Sequence, residues 1–137
     1  MADLSITATS VVPSVSNFYK VIAAEAIDAG ETVCKDSAGE LILTDATDST
    51  KIDCVGIAVC SAAAGQPCMY VDLDPALVTD ASPTNGAALL LSETPGKLTV
   101  TIADITTGST PVSVGMGKGT TTMSFDAKTK HTGTEVA

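Results

Sequence analysis

Few residues of this chain combine a reactive type with a useful spacing. Asp72 and Asp74 flank a single Leu, so an extended backbone would set both carboxylates on one face. Two carboxylates so placed could hold Ca²⁺ or divide acid and base roles. The competing reading is a solvated face beside a helix cap, because Asp74-Pro75-Ala76-Leu77-Val78 begins with a capping side chain and a first-turn proline. That reading predicts a short helix from Asp74. Cys34, Cys54, Cys60 and Cys68 contain no CxxC pair, and the single His, His131, sits in a polar tail, so no metal site is expected. In an extended strand Cys54, Gly56, Ala58 and Cys60 would share one face, with Val55, Ile57 and Val59 on the other. Reduced, small, buried or half-buried thiols are expected.

The string from Val114 to Thr120 is rich in glycine but fails the phosphate-loop pattern at two positions. Val112 stands where that loop needs Gly, and Gly119 where it needs Ser or Thr. Gly115, Gly117 and Gly119 also miss the dinucleotide spacing, which leaves a glycine-rich strand end or bulge. The acidic stretch 45–53 lacks the Gly and closing Glu of a calcium loop. A Ser nucleophile would need a His and an acid beside it, and His131 is expected in a mobile tail. No catalytic residue, no cofactor site and no small-molecule substrate are therefore expected.

The elements that must position any site are strands. A chain of 137 residues makes one domain that buries roughly two-thirds of its unfolded surface. Aromatic residues make up 3% and Trp is absent, so the core must come from Val, Ile, Leu, Met and Ala. Such a core gains less area per side chain than one built on rings, which points to help from a partner subunit. The net charge of −9 comes with seven Lys and no Arg. Phosphate backbones are held by clustered Lys and Arg, and bases are read best by Arg, so nucleic acid is not an expected partner. No apolar run approaches the roughly 20 residues of a membrane span, and the first ten residues lack the charged and apolar regions of a signal peptide. Synthesis as a soluble cytoplasmic protein, with no membrane partner, is expected.

The chain nearly repeats itself. Gly39-Glu40-Leu41 recurs as Gly96-Lys97-Leu98, an offset of 57 residues, and Val55-Gly56-Ile57 as Val114-Gly115-Met116, an offset of 59. Each copy reads apolar run, turn ending in Gly, second apolar run, polar stretch, then a Val-Gly strand. Two copies are too few for an open solenoid, so the expected fold is all-β, a single sandwich or barrel of two strand-turn-strand units. Strands are predicted at 31–35, 40–44, 54–60, 68–72, 87–92, 97–102, 112–117 and 121–125, and the segment 18–27 is also read as strand. Residues 1–17 read as an arm or edge strand, 18–126 as the duplicated domain, and 127–137 as a flexible tail.

The runs Ala26 to Val33, Asp36 to Leu41, Val55 to Ala58 and Ser61 to Pro67 together resemble the small capsid decoration (cement) proteins of tailed bacteriophages. The likeness is to a group with an AG-x-x-V, VGIA and AAAGQPV pattern, and it covers roughly residues 18–126. The stretch from Leu91 to Leu98 resembles the group's second-half hairpin, while Cys34 and Cys68 stand where members commonly have an apolar residue or Thr. The resemblance implies a homotrimer on the outer virion surface that bridges major capsid protein subunits and stabilises the expanded head. An acidic, Arg-free chain suits that surface better than a DNA-lined interior. Capsid or intersubunit contacts are expected from the arm and its end, at Val11, Val12, Val15, Phe18 and Tyr19, through strand addition. The alternative is a carbohydrate- or receptor-binding module of a fibre or cell-surface protein, for which Phe18, Tyr19, Tyr70 and Phe125 are a sparse aromatic set.

Overall fold

The computed structural model of the chain describes residues 3–81, 83–102, 105–106, 108–119, 121–128 and 131–132. Its strands are β1 (Tyr19–Ile22), β2 (Thr32–Lys35), β3 (Leu41–Leu43), β4 (Gly56–Ala58), β5 (Pro67–Val71), β6 (Leu73–Val78), β7 (Ala88–Leu91), β8 (Leu98–Thr99), β9 (Val112–Gly117), β10 (Thr122–Asp126) and β11 (His131–Thr132). One 3₁₀ turn, Ala8–Ser10, precedes them, and no α-helix occurs among the described residues. The fold is all-β, as the alternating runs and Gly turns predict.

The strands form two antiparallel sheets with the same internal order. The first runs β1-β5-β4-β2-β3 and the second β6-β10-β9-β7-β8, with β11 also paired to β9. Counted from its own first strand, each sheet is therefore 1-5-4-2-3. The β2–β3 and β7–β8 hairpins turn through Gly39 and Gly96, whose φ angles of +82° and +76° only glycine adopts at low cost. Gly56 and Gly115 answer a different demand. A Cβ on Gly56 would lie 2.5 Å from the Val71 carbonyl oxygen, and one on Gly115 would overlap the Ser124 carbonyl oxygen, so the neighbouring strand can approach only a bare Cα.

Alternation along the strands builds two apolar clusters. Val33, Leu41, Ala58, Cys68 and Tyr70 gather with Ala23 and Ile27 on one side of the first sheet. Ile57 and Val71, from alternate positions of β4 and β5, meet Leu77, Leu89, Leu91, Val112, Val114, Met123 and Phe125 of the second sheet. The first sheet is thus covered on both faces, which is why β4 is buried along its whole length. Its outer strands are tied where Ala23 bridges Leu41 of β3 in parallel, so the sheet curls toward closure.

Three expectations are corrected by these contacts. Asp74-Pro75-Ala76-Leu77-Val78 is not a helix but most of β6, which pairs with β10 from Leu73↔Asp126 to Val78↔Thr122. Pairing and the burial of Leu77 outweigh the local cap signal, and Pro75 is tolerated because β6 is the outer strand of its sheet. The segment 18–27 is strand only over Tyr19–Ile22; beyond that it makes single bridges at Ala23 and Ile27. The expected facing of the 54–60 run also slips. Cys54 packs with Ile57 between the sheets and Val55 on the side of Ala58. The slip sits at Val55 and Gly56, which both lie against Val33, one through its amide and one through the ladder, as at a β-bulge.

Candidate functional site

Residues 3–15 form a strap across the second sheet. The Leu4 amide donates to the Leu98 carbonyl and Asp3 bridges Thr99 of β8, while Val12 exchanges two backbone hydrogen bonds, 2.8 and 3.0 Å, with Val78 of β6. The strap therefore joins the two outer strands of its sheet. Between those ties Ile6 and Val11 close over Gly30, where a Cβ would meet the Ile6 methyl at 2.5 Å. Leu4, Ile6, Val11 and Val15 all pack on the core between the sheets.

The carboxylate that secures the strap is Asp74. It is fully buried and accepts the Ser14 amide at 2.8 Å, the Ser14 hydroxyl and the Ala76 amide at 3.0 Å. A buried carboxylate is tolerated when donors converge on it, and three do here. Asp80 adds a surface tie by accepting the Thr7 amide at 2.7 Å, and its carboxyl is held below the usual range by the Thr7 hydroxyl and amide. Both Asp74 oxygens are thus engaged by these donors. Among the described residues no cluster of three or more His, Cys, Asp or Glu could hold a metal.

The five expected contact residues divide by where they face. Val11 and Val15 are half-buried against the chain's own core. Val12, Phe18 and Tyr19 are exposed, and Ile22 and Leu73 join them as exposed apolar side chains that sequence reasoning did not single out. Phe18, Tyr19 and Ile22 lie on or beside β1, an outer strand of the first sheet, at 40, 47 and 39% exposure.

Beside β1 lies an open groove of about 490 Å³ lined by Tyr19, Lys35, Asp53, Tyr70, Asp72 and Lys128, among others. The β1–β5 register sets Tyr19 directly opposite Tyr70, and the rings stack at 5.3 Å with 24° between planes. Tyr70 is almost wholly covered, and burial, with Tyr19 and Asp72 adding to it, raises its phenol above the ordinary value. The groove therefore offers one exposed aromatic ring flanked by two carboxylates and two ammonium groups. That set can stack on an apolar ring and exchange hydrogen bonds. The sequence signal for it is faint: Tyr70 and Asp72 alternate along one strand, but only a long-range pairing brings Tyr19 to them.

The glycine-rich string gives no phosphate cradle. The amides of Gly117, Lys118 and Gly119 are spent on the carbonyls of Ala87, Thr122 and Pro83. Thr120 lies outside the described residues. Burial pushes the Cys34 and Cys68 thiols up to about 11, so both stay protonated at neutral pH. Of the tail expected at 127–137, Ala127 is buried on the core and residues 131–132 form β11; residues 129–130 and 133–137 lie outside the described set. No helix is long and apolar enough to cross a membrane among the described residues. Comparison of the chain with protein-family models, with curated proteins and with solved structures finds no match in any of the three.

Proposed function

We propose that this chain is a structural virion protein that binds the outer surface of a tailed-phage capsid as a homotrimer and bridges major capsid protein subunits of the expanded head. The observation that carries this reading is the outer strand β1, which presents Phe18, Tyr19 and Ile22 to solvent in a chain with only two Phe and two Tyr. Exposed apolar side chains on the last strand of a sheet, which is tied to β3 only beyond it at Ala23, suit strand addition by another polypeptide. The resemblance in the Ala-Gly turns and Val-Gly strands supplies the kind of partner, and the acidic surface suits the outside of a DNA-filled shell. Val12 belongs with these contacts, whereas Val11 and Val15 act through the chain's own core. The strap brings no bound cofactor or reaction into this function; area and valency do the work.

Co-sedimentation with capsids that lack the protein tests the reading. Saturable binding to expanded shells and none to unexpanded ones is the expected result. Binding to neither would overturn it.

A second reading rests on a separate observation. The Tyr19 ring between Asp53, Asp72, Lys35 and Lys128 suits a saccharide, which stacks an apolar face on an aromatic ring while its hydroxyls meet charged groups. Tyr19→Ala would abolish saccharide binding under that reading.

A further inference from the structure

Cys60 and Cys68 lie beside each other just past the end of the β4–β5 ladder. The register pairs Ile57 with Val71 and Ala58 with Tyr70, and the Val59 amide continues it by donating to the Met69 carbonyl at 2.9 Å. The paired ladder ends there, and one further step in the same register would set Cys60 opposite Cys68, where β5 still holds its place because Val21 of β1 pairs with Cys68 on the other side. The Val59–Met69 bond sets which kind of pair that extension would make. In an antiparallel ladder, the positions flanking a hydrogen-bonded pair are the narrow, non-hydrogen-bonded ones, with Cα atoms about 4.5 Å apart and side chains on one face. That separation falls inside the range a disulfide spans, about 4.4–6.8 Å between Cα atoms. The Cys68 sulfur lies 3.8 Å from the Cys60 carbonyl oxygen, as expected for a side chain lying against that residue.

The other two cysteines are placed differently. Cys34 turns its sulfur to the Leu43 carbonyl at 3.9 Å and Cys54 to the Gly56 carbonyl at 3.4 Å, and both are buried. Cys60 is the one cysteine of the four that reaches solvent. An oxidant therefore meets Cys60 first, with Cys68 as the thiol beside it.

We propose that Cys60 and Cys68 are an oxidative modification site, closing to an intramolecular disulfide when the folded chain meets a peroxide. The Cys60 sulfur attacks the peroxide O–O bond; an S–O bond forms, the O–O bond breaks, and water leaves with the thiol proton. The Cys68 sulfur then attacks the Cys60 sulfur, forming S–S, breaking S–O and releasing a second water. Two thiols are oxidised by two electrons and one peroxide is reduced to two waters. Burial, with Cys60 close by, holds Cys68 largely as the thiol near neutrality, so the second step quickens as pH rises. The cross-link would staple β4 to β5 at the rim of the first sheet, next to the turn that carries Gly65.

Treatment of the full-length folded protein with hydrogen peroxide, followed by intact-mass measurement, tests this. The expected product is 2 Da lighter, takes two alkyl groups from N-ethylmaleimide instead of four, and returns to four with dithiothreitol. Trypsin leaves residues 52–97 as one peptide with Cys54, Cys60 and Cys68, while Cys34 lies on another. Fragment ions from cleavage between residues 60 and 68 should vanish in the oxidised peptide and reappear on reduction. Cys60→Ser should lose the 2 Da product altogether. A product joined to the Cys34 peptide, a linkage through Cys54, oxygen addition at Cys60 that never proceeds to the lighter species, or a 2 Da loss that survives in Cys60→Ser would each overturn the proposal.

Discussion

Asp74 shows how one residue can be misread from its neighbours and still be central. Its place before Pro75 has the form of a helix cap, but in the fold it is a buried acceptor for three donors, two of them on Ser14. Asp74→Ala leaves those donors without a partner, and an unsatisfied buried donor costs about 1–3 kcal/mol. A melting point lowered by several degrees is expected, with Ser14→Ala costing less because it removes only the hydroxyl and both amide bonds survive. Asp74→Asn offers little rescue, since its amide nitrogen would face the Ser14 amide where a carboxylate oxygen now accepts. A melt of the three variants checks the order Ala and Asn below Ser14→Ala below wild type. The exposed carboxylates behave differently. Glu93 accepts the Ser109 hydroxyl and the Thr106 hydroxyl and amide, Asp48 the Thr50 hydroxyl and amide, and Asp80 those of Thr7, and each is held below its ordinary range by these bonds. A carboxyl whose folded pKa is depressed stabilises the fold above its unfolded pKa, and that contribution is lost as pH falls through the folded value. The melting point should therefore stay level from neutrality down to the ordinary carboxylate range near 4 and fall below it. Glu93→Gln should flatten that acid limb without moving the neutral plateau by more than a degree or two, since its bonds are made at the surface.

At the scale of elements, the repeat is written in residues that have different duties in the two sheets' shared order. Gly39 and Gly96 turn hairpins, while Gly56 and Gly115 admit a neighbouring strand. Gly56→Ala and Gly115→Ala should each cost about 1–3 kcal/mol, the usual penalty of forcing a methyl into filled space, because a backbone carbonyl that cannot swing away stands at each, joined at Gly56 by the Tyr70 ring. Gly39→Ala meets nothing within 4 Å, so its cost is that of φ alone, about 1 kcal/mol. Urea melts of the three variants would separate crowding from backbone strain. These elements were legible because their signals are local: Val112–Gly117 was delimited to the residue, and the strands from Thr32 to Val71 and from Ala88 to Asp126 fall within one to three residues of their expected ends. Local signals also account for the failures. The Asp74-Pro75 cap is a true local preference overridden by pairing with β10, and the slip at Val55 needs the knowledge that Val33 lies opposite. The groove is illegible for the same reason, since Tyr19 and Tyr70 are 51 positions apart and meet only through the β1–β5 register. The strap, read as an arm, gives no sequence hint that Val11 and Val15 belong to the core while Val12 does not.

For the whole molecule, the two sheets differ in how their outer strands are tied. The first closes on itself at Ala23 and Leu41, and the second is closed by the strap. That leaves the solvent side of β1 as the apolar edge most open to another polypeptide, and a trimer would offer three of them. Removal of one exposed methyl-rich contact such as Ile22 forfeits about 1 kcal/mol per site. For a chain that docks singly, Ile22→Lys would then weaken capsid binding roughly fivefold or somewhat more, once the buried ammonium is counted. For three copies docking together, the losses add within one assembly to about 3 kcal/mol, which is more than a hundredfold. Titration of Ile22→Lys against expanded capsids therefore reads valency as well as location, provided its melting point matches wild type. A loss above a hundredfold is expected. A fivefold loss would mean that β1 docks but each copy acts alone, and an unchanged affinity would mean that the capsid meets another face, with Val12 and Leu73 next to be substituted.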